Sequence, residues 1–331
     1  MTAIKHEAVV NANTGMKTST IQTIRAPCLV VDDFLPAATA AAMRAAVERH
    51  FAEPAGHRPD SHQIWNYWFV PGLYTYLRTA PERVLQRGDV ELFMEVLSSW
   101  STSRLGLRQA TWPYLSLYVS GCRQNLHNDS SNGAFAFVYS LTRNERKTTG
   151  GETIVLHEGD PFRRNLATPQ AGRGLFDAIE PRFNRLVVFD DRLVHGVERV
   201  EGSMDPVEGR FVLHGHLRAD GPTIAGALPA EQVNTAIVQV WTDFMKAAAA
   251  RARLYHGPIA LRFEIAGSGQ VEACAALMDR VTAREASDVG WLSLADELVA
   301  RLKRHRFPPA DGPTVVIHPF LFGEATFGAL P

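Results

Sequence analysis

The stretch YVSGCRQNLHND, residues 118–129, decides the fold because it places an imidazole and a carboxylate two residues apart, where a strand-like run meets a turn. In a strand, residues i and i+2 project from the same face, so His127 and Asp129 can both reach one metal ion. Taken alone, an HxD pattern is more typical of a surface turn. Two histidines and one carboxylate form the facial triad of non-haem Fe(II) sites, so such a site requires a second histidine.

The second histidine lies in RLVVFDDRLVHGVERV, residues 185–200, where His195 follows an apolar run that ends in a turn. An HxD pattern followed several strands later by a histidine is much more restrictive than HxD alone. We therefore interpret His127, Asp129 and His195 as one metal-binding set. Each of the three would approach the metal from the end of a strand.

A further strand, RFVLHGHLR at residues 210–218, alternates so that Val212, His214 and His216 share the face of Arg210. A buried arginine on that face can bind a carboxylate through two parallel hydrogen bonds, which a lysine would do less specifically. The sequence therefore predicts an anion site beside the metal site.

The region around these motifs, residues 114–217, consists of short β-rich runs separated by turns, which is typical of a sandwich or barrel. Before it, VVDDFLP predicts a strand and AATAAAMRAAVERHF a helix, with a second helix in DVELFMEVLSSWSTSRLG. The segment 61–79 crowds five Trp and Tyr residues together. We interpret it as an aromatic layer of the core, with a substrate-facing surface as the alternative.

The chain changes character after residue 217. RADGPTIAGALPAEQ, residues 218–232, is rich in Gly, Pro and Ala and predicts a linker, which leads into a helix ending at Gly257. PIALRFEI and QVEACAAL around the turn AGSG predict a hairpin, followed by a helix in WLSLADELVARLKRHRF and a last strand, TVVIHPFLF. The tail is thus a small α+β module. We divide the chain into a flexible segment 1–24, a β-rich domain 25–220, a linker and connecting helix 221–256, and the module 257–331.

Composition restricts the functions open to the chain. Its 331 residues carry a formal net charge of −1, and no local basic patch is evident, so we expect no binding to nucleic acid or to a membrane surface. Peptides or small molecules are therefore the favoured partners. Three scattered cysteines without CxxC spacing and the lack of an apolar signal segment predict a reducing, cytoplasmic location.

The motifs together resemble the Fe(II)- and 2-oxoglutarate-dependent dioxygenases, in particular the prolyl-4-hydroxylase-like branch. The matching pieces are VVDDFLP, YVSGCRQNLHND, GGETIVL, IEPRFNRLVVFDDRLVHGVERV and GRFVLHGHL, which span about residues 28–218. The resemblance implies an α+β fold with a double-stranded β-helix, or jelly-roll, core and flanking helices. It implies Fe(II), 2-oxoglutarate and O2 as cofactor and cosubstrates, with ascorbate as an auxiliary reductant.

The resemblance also implies roles for single residues. His127, Asp129 and His195 become the iron ligands, and Arg210 binds the distal carboxylate of 2-oxoglutarate. Tyr118 matches a tyrosine that lies beside the cosubstrate in this branch, and His214 is a further candidate contact or else a hydrogen-bonded core histidine. The loop between His195 and Arg210 is longer than in this branch, which leaves Arg199 as an alternative anchor.

The implied reaction is hydroxylation of an unactivated C–H bond with release of succinate and CO2. A carboxylate at Asp129 occupies the position that related halogenases open for chloride, so halogenation is disfavoured, while desaturation and ring formation stay open. The expected substrate is a peptide or protein side chain, with proline first. The alternatives are a free amino acid or natural-product intermediate, and a non-catalytic protein that senses 2-oxoglutarate or metal.

The tail resembles the C-terminal domain of the TonB energy-transducer family in its alternating first strand, glycine turn, helix and FPP…G…V…PF ending. Domains of this kind bind an extended segment by pairing it with an exposed strand. We therefore expect the tail to hold a peptide or protein substrate or to form a homodimer, with a purely stabilising appendage as the alternative.

Overall fold

The computed structural model describes residues 22–52, 64–129, 132–156, 175–284 and 290–323. The described helices begin and end close to the predicted positions. They are α1 (Ala37–Ala52), α2 (Arg87–Leu105), α3 (Ala230–Ala247), the short α4 (Ala249–Ala252) and α5 (Trp291–Arg304). Helix α2 ends at Gly106, whose φ of 72° is the left-handed conformation that glycine adopts at helix ends.

The β-rich region contains fourteen of the described strands. They are β1 (Cys28–Val31), β2 (Asn66–Val70), β3 (Tyr74–Thr79), β4 (Gln109–Ala110), β5 (Tyr114–Tyr118), β6 (Arg123–His127), β7 (Phe135–Ser140), β8 (Thr148–Thr149), β9 (Thr153–Leu156), β10 (Phe176–Ile179), β11 (Arg185–Asp190), β12 (His195–Val197), β13 (Glu201–Gly202) and β14 (Arg210–Arg218).

Twelve of these strands form one antiparallel sheet, with the order β1-β11-β7-β14-β5-β3-β6-β12-β9-β10; β2 pairs with β3, and β4 with β14. The sheet curls around a cavity lined by residues of β3, β5, β6, β12 and β14, and α1 and α2 pack against the sheet. Helix residues Met43 and Phe93 are fully buried in the same core as Phe137 and Tyr139 of β7. The predicted α+β fold with a jelly-roll core and flanking helices is confirmed.

A second sheet follows in the chain, made of β15 (Thr223–Gly226), β16 (Tyr255–Ile265), β17 (Val271–Asp279), β18 (Thr282–Ala283) and β19 (Thr314–Phe322). Strands β16 and β17 form the predicted hairpin, and Phe263 of β16 shares an apolar core with residues of α3 and α5. The segment predicted as linker and connecting helix contains α3, but it also supplies β15, which pairs with β19. It therefore contributes directly to the second sheet.

The second sheet packs tightly against the jelly roll. Ala260 of β16 and Met278 of β17 are fully buried within the core of the first unit. A Cβ built on Gly106 at the end of α2 would lie 2.4 Å from the Ala260 Cβ, so only glycine permits this approach. Ile24, at the end of the segment predicted to be flexible, pairs with Met278; residues 1–21 lie outside the described part of the chain.

A buried ionic cluster joins the two units. Asp190, at the end of β11, accepts hydrogen bonds from the Nη2 of Arg192 at 2.6 Å and from the Nε of Arg280 at 3.2 Å, and Arg280 follows β17. Arg192 also donates to the backbone oxygens of His256 and Arg280. We call Asp190, Arg192 and Arg280 the Asp190 cluster. Two of its members, Asp190 and Arg192, lie at the end of β11 and in the turn that follows, a few residues before His195.

The interpretation of the aromatic segment as a core layer is wrong for its first strand. Every residue of β2 is exposed, with Tyr67 at 62% and Phe69 at 58% exposure, whereas Tyr76 of β3 is buried. The reason is that β2 pairs with β3 alone and extends beyond the sheet as one arm of a hairpin. None of the described helices is both long enough and apolar enough to span a membrane.

Candidate functional site

Three side chains with metal-binding atoms meet at one end of the jelly roll. His127 ends β6, His195 begins β12, and the two are direct partners in the antiparallel ladder. Asp129 lies two residues beyond His127, where its backbone N–H donates to the Asp191 oxygen at 3.1 Å. The Asp129 Oδ2 atom is 3.4 Å from His195 Nε2 and 3.9 Å from His127 Nε2, and one donor atom from each residue lies within 4.8 Å of the others.

Hydrogen bonds to the backbone set the tautomer of both histidines. The Nδ1 of His127 is 2.7 Å from the Asn125 oxygen, and the Nδ1 of His195 is 3.0 Å from the Leu193 oxygen. A carbonyl oxygen only accepts hydrogen bonds, so each Nδ1 carries the proton. Each Nε2 therefore keeps its lone pair and turns it toward Asp129, which is the orientation that a metal ligand requires.

The charges of the site also suit a cation. Burial lowers the pKa of His127, which keeps the imidazole neutral near pH 7. The neighbouring His195 imidazole lowers the pKa of Asp129, so this carboxyl is ionised. Neutral imidazole and ionised carboxylate are the forms that bind metal ions. The residues present therefore fit a divalent cation with histidine and carboxylate ligands.

Arg210, the first residue of β14, is only 2% exposed and lines the same cavity. Its Nη2 donates to the Thr153 Oγ1 at 3.1 Å, and its guanidinium carbon lies 4.8 Å from the centre of the Tyr118 ring. Its Nε and Nη1 have no hydrogen-bond partner among the described residues. A buried guanidinium with unsatisfied N–H groups is costly unless an anion completes the pairing, so this side chain fits a carboxylate ligand.

Two adjacent glycines form a tight turn beside Arg210. Gly150 and Gly151 adopt φ of 76° and 80°, in the left-handed region. A Cβ on Gly150 would lie 2.0 Å from the Arg199 oxygen, and one on Gly151 would lie 3.1 Å from Arg210 Cδ. The motif GGETIVL therefore has a steric cause: the chain must turn tightly beside the arginine before β9 supplies Thr153.

Two further predicted residues, Tyr118 and His214, also line the cavity. Tyr118 is buried under Arg210, and its hydroxyl donates to Gln124 Oε1 at 3.3 Å. His214 lines the cavity with its Nε2 at 2.8 Å from the Ser116 Oγ, and burial, with the positive charges of Arg78 and Arg210, lowers its pKa to about 3. It is therefore neutral.

Arg199, the alternative anchor, is half exposed and pairs with Glu201 at 2.7 Å. Its charge is thus already balanced outside the cavity. Between the two arginines, Arg210 is the one that is buried in the cavity with free N–H groups.

Sequence reasoning gave the substrate-facing surface of Tyr74 and Tyr76 only as an alternative. It placed His216 on the face of Arg210 but did not single out Arg78. The cavity of about 420 Å³ is lined by Tyr74, Tyr76 and Arg78 of β3 and by His216 of β14. His216 Nδ1 is 3.0 Å from the Asp191 Oδ2, and Asp191 is fully buried. The alternation of Tyr74, Tyr76 and Arg78 along one strand face was the available signal.

Comparison with known proteins agrees with this geometry. Residues 114–218, which run from β5 to the end of β14, match the family model of the 2OG-Fe(II) oxygenase superfamily, where 2OG is 2-oxoglutarate. Residues 114–218 form a 2OG-Fe(II) oxygenase domain. This domain contains His127, Asp129, His195 and Arg210. Its family uses Fe(II), 2-oxoglutarate and O2, so the predictions of an oxygenase enzyme and of these cofactors are confirmed.

Solved structures with similar chains include other oxygenases. A prolyl-4-hydroxylase of Pseudomonas putida is 17% identical, with 58% of this chain and 92% of that chain covered and a TM-score of 0.41. A prolyl hydroxylase of Trichoplax adhaerens, solved with a hypoxia-inducible-factor peptide, is 14% identical over 58% and 83% of the chains, with a TM-score of 0.42. The α-ketoglutarate-dependent epimerase SnoN from nogalamycin biosynthesis is 15% identical over 58% and 78%, with a TM-score of 0.40. No curated protein matches the chain.

Proposed function

We propose that the oxygenase domain hydroxylates an unactivated C–H bond of an organic substrate in the cavity described above. The observation that carries the proposal is the pair of free N–H groups on buried Arg210, in the same cavity as the His127, Asp129 and His195 cluster. A bound Fe(II) with 2-oxoglutarate supplies oxidising chemistry in which one oxygen atom of O2 enters succinate, the other enters the substrate C–H bond, and CO2 leaves. The protein supplies binding and orientation.

In this proposal His127, Asp129 and His195 hold Fe(II) through three ligand atoms and leave the other coordination positions open. Arg210 binds the distal carboxylate of 2-oxoglutarate through guanidinium N–H groups that no described residue occupies, while Thr153 accepts a hydrogen bond from its Nη2. Tyr118 packs against the guanidinium and fixes its plane.

The proposed substrate is a peptide or protein side chain, and a prolyl peptide is the first compound to test. A free amino acid or natural-product intermediate is the second class, which the positively charged cavity rim described below favours. The C-terminal module is proposed to hold the substrate or to form a homodimer through an exposed strand. Its TonB-like origin stays a prediction.

The test is succinate release by the full-length protein with Fe(II), 2-oxoglutarate, O2 and ascorbate, offered a peptide library and a pool of free amino acids. Because Ala260, Met278 and Arg280 are buried against the jelly roll, removing the module would expose core, so the full chain is used. His195→Ala should abolish succinate release, whereas His305→Ala, in the second unit, should retain it. Equal succinate release by wild type and His195→Ala would refute the proposal.

A further inference from the structure

One wall of the cavity is a row of stacked aromatic rings that crosses three strands. The Tyr118 ring of β5 stacks on Tyr76 of β3 at 5.0 Å between centroids, and Tyr76 stacks on Trp68 of β2 at 6.5 Å. Arg210 caps the inner end of this row over Tyr118. A second guanidinium, that of Arg78, caps the outer end over Trp68.

Arg78 is held between two rings. Its guanidinium carbon lies 3.6 Å from the centroid of Trp68 and 3.9 Å from that of Tyr114. Cation–π contacts on both faces fix the plane of the group and leave its edge for hydrogen bonds. Within the described part of the chain, no acidic side chain forms an ion pair with Arg78, although it lines the cavity and is only half buried.

With Fe(II) and 2-oxoglutarate bound, the charges at the metal and cosubstrate positions would cancel one another. The positive charge of Arg78 would then have no counter-charge among the described residues that line the cavity. The positive charges of Fe(II) and Arg210 are offset by Asp129 and the two carboxylates of 2-oxoglutarate. Asp129 is the single acid among the described residues that line the cavity, whereas Arg78 and, at the rim, Arg218 add positive charge. An anionic substrate would restore the balance and would meet a rigid, flat surface that loses little side-chain entropy on binding.

We propose that Arg78, sandwiched between Trp68 and Tyr114, binds a carboxylate of the substrate. The substrate class is therefore a carboxylic acid with its oxidisable C–H bond directed to the metal cluster, either a free amino or organic acid or the C-terminal residue of a peptide. This inference rests on the proposed function. The strand register supports this placement. Arg78 lies opposite Ser116, two residues along β5 from Tyr118, and Tyr118 lies opposite Arg210.

The test uses matched compounds: the free amino acids and a set of short peptides, each supplied as the C-terminal acid and as the C-terminal amide. Full-length protein is incubated with Fe(II), 2-oxoglutarate and O2. Mass spectrometry then detects the oxidised compound, and succinate is measured in the same reaction. Oxidation of acids but not of their amides is expected. Oxidised amino acids indicate a free acid, and oxidised peptide acids indicate a peptide C-terminus.

Variants then assign the preference to the residue. Arg78→Gln should raise the KM for the acid substrate about 10- to 100-fold, which is the effect of losing a charge-assisted pair. The rate of oxidation of the acid should then approach that of the matching amide. Arg78→Lys keeps the charge but lacks the planar, two-pronged guanidinium, so its KM should lie between those of wild type and Arg78→Gln. Arg104→Gln, an exposed residue at the end of α2, makes the same change of net charge and should behave as wild type.

The outcomes separate this inference from the proposed function. Oxidation of amides as readily as acids, oxidation of neither set, or an unchanged KM in Arg78→Gln would overturn the role of Arg78. If wild type still converts 2-oxoglutarate to succinate in any of these cases, the proposed function stands. If wild type does not convert 2-oxoglutarate to succinate at all, both the role of Arg78 and the proposed function are overturned.

Discussion

The Asp190 cluster links the jelly roll to the second sheet, so its loss should lower the stability of the whole chain. The substitution Asp190→Asn tests this prediction. The Asp190 carboxylate is 1% exposed and accepts hydrogen bonds from Arg192 and Arg280. An asparagine keeps the shape but removes the negative charge that faces the Arg280 guanidinium, which is 4% exposed. Breaking a buried pair costs about 3–5 kcal/mol, a large part of the roughly 5–15 kcal/mol by which proteins are usually stable.

The assay is urea unfolding of the full-length protein, with the free energy of unfolding taken from the transition. The matched control is Asp32→Asn. Asp32 also pairs with an arginine in two-point geometry, at 2.6 and 3.0 Å from Arg185, but its side chain is 56% exposed. Arg185 is 11% exposed, but the Asp32 side of the pair reaches solvent, so its loss should cost less than that of the Asp190 pair, closer to the roughly 0–1 kcal/mol of surface pairs. Equal losses in the two variants would refute the account of the Asp190 cluster.

The same substitution should weaken metal binding, because the turn after Asp190 carries three features of the site. It supplies His195, the Leu193 oxygen that orients this histidine, and the Asp191 oxygen that holds the backbone of Asp129. Residues that orient metal ligands typically change metal affinity about 10- to 100-fold. Anaerobic Mn(II) titration in buffer without urea should show this loss in Asp190→Asn and none in Asp32→Asn. Unchanged affinity would show that the second unit stabilises the fold without positioning the site.

Two further predictions concern Arg210 and acid stability. Gly151→Ala should raise the KM for 2-oxoglutarate by roughly tenfold, because its Cβ would lie 3.1 Å from Arg210 Cδ and displace the guanidinium. Gly72→Ala, at a similar φ of 77° but with no atom within 4 Å, should leave this KM unchanged. Equal effects would mean that φ strain alone is responsible. Burial alone would raise the pKa of Asp190, but Arg192 and Arg280 outweigh it and hold the pKa below its ordinary value of 3.8. The stability that Asp190 contributes should therefore be complete above that value and disappear as the pH falls through the lower, folded-state pKa, so the stability difference between wild type and Asp190→Asn should shrink in acid; a constant difference would contradict this.

The parts of the fold that local patterns encode could be predicted from the sequence. Alternation located the strands around Arg210, and the predicted last strand, TVVIHPFLF, coincides with β19. His127 and His195 were linked by residue type and order, and the structure makes them ladder partners. Their roles as ligands stay predictions until a metal is measured.

The parts that depend on long-range contacts could not be predicted. Nothing near Asp190 in the sequence indicates that Arg280, ninety positions later, enters its pair. The hairpin of β2 and β3 is rich in aromatic residues, which indicates a core, yet its pairing partners leave β2 in solvent. Composition likewise predicted a linker at residues 218–232, whereas pairing with β19 turns part of it into a strand.

The central claim is that His127, Asp129 and His195 bind Fe(II) with 2-oxoglutarate held by Arg210. The most direct test is the absorption band of the anaerobic complex with Fe(II) and 2-oxoglutarate, which reports cosubstrate bound to the metal without need of a substrate. The account predicts a band in wild type that is abolished in Asp129→Ala and in His195→Ala. A band of unchanged intensity in both variants would contradict it.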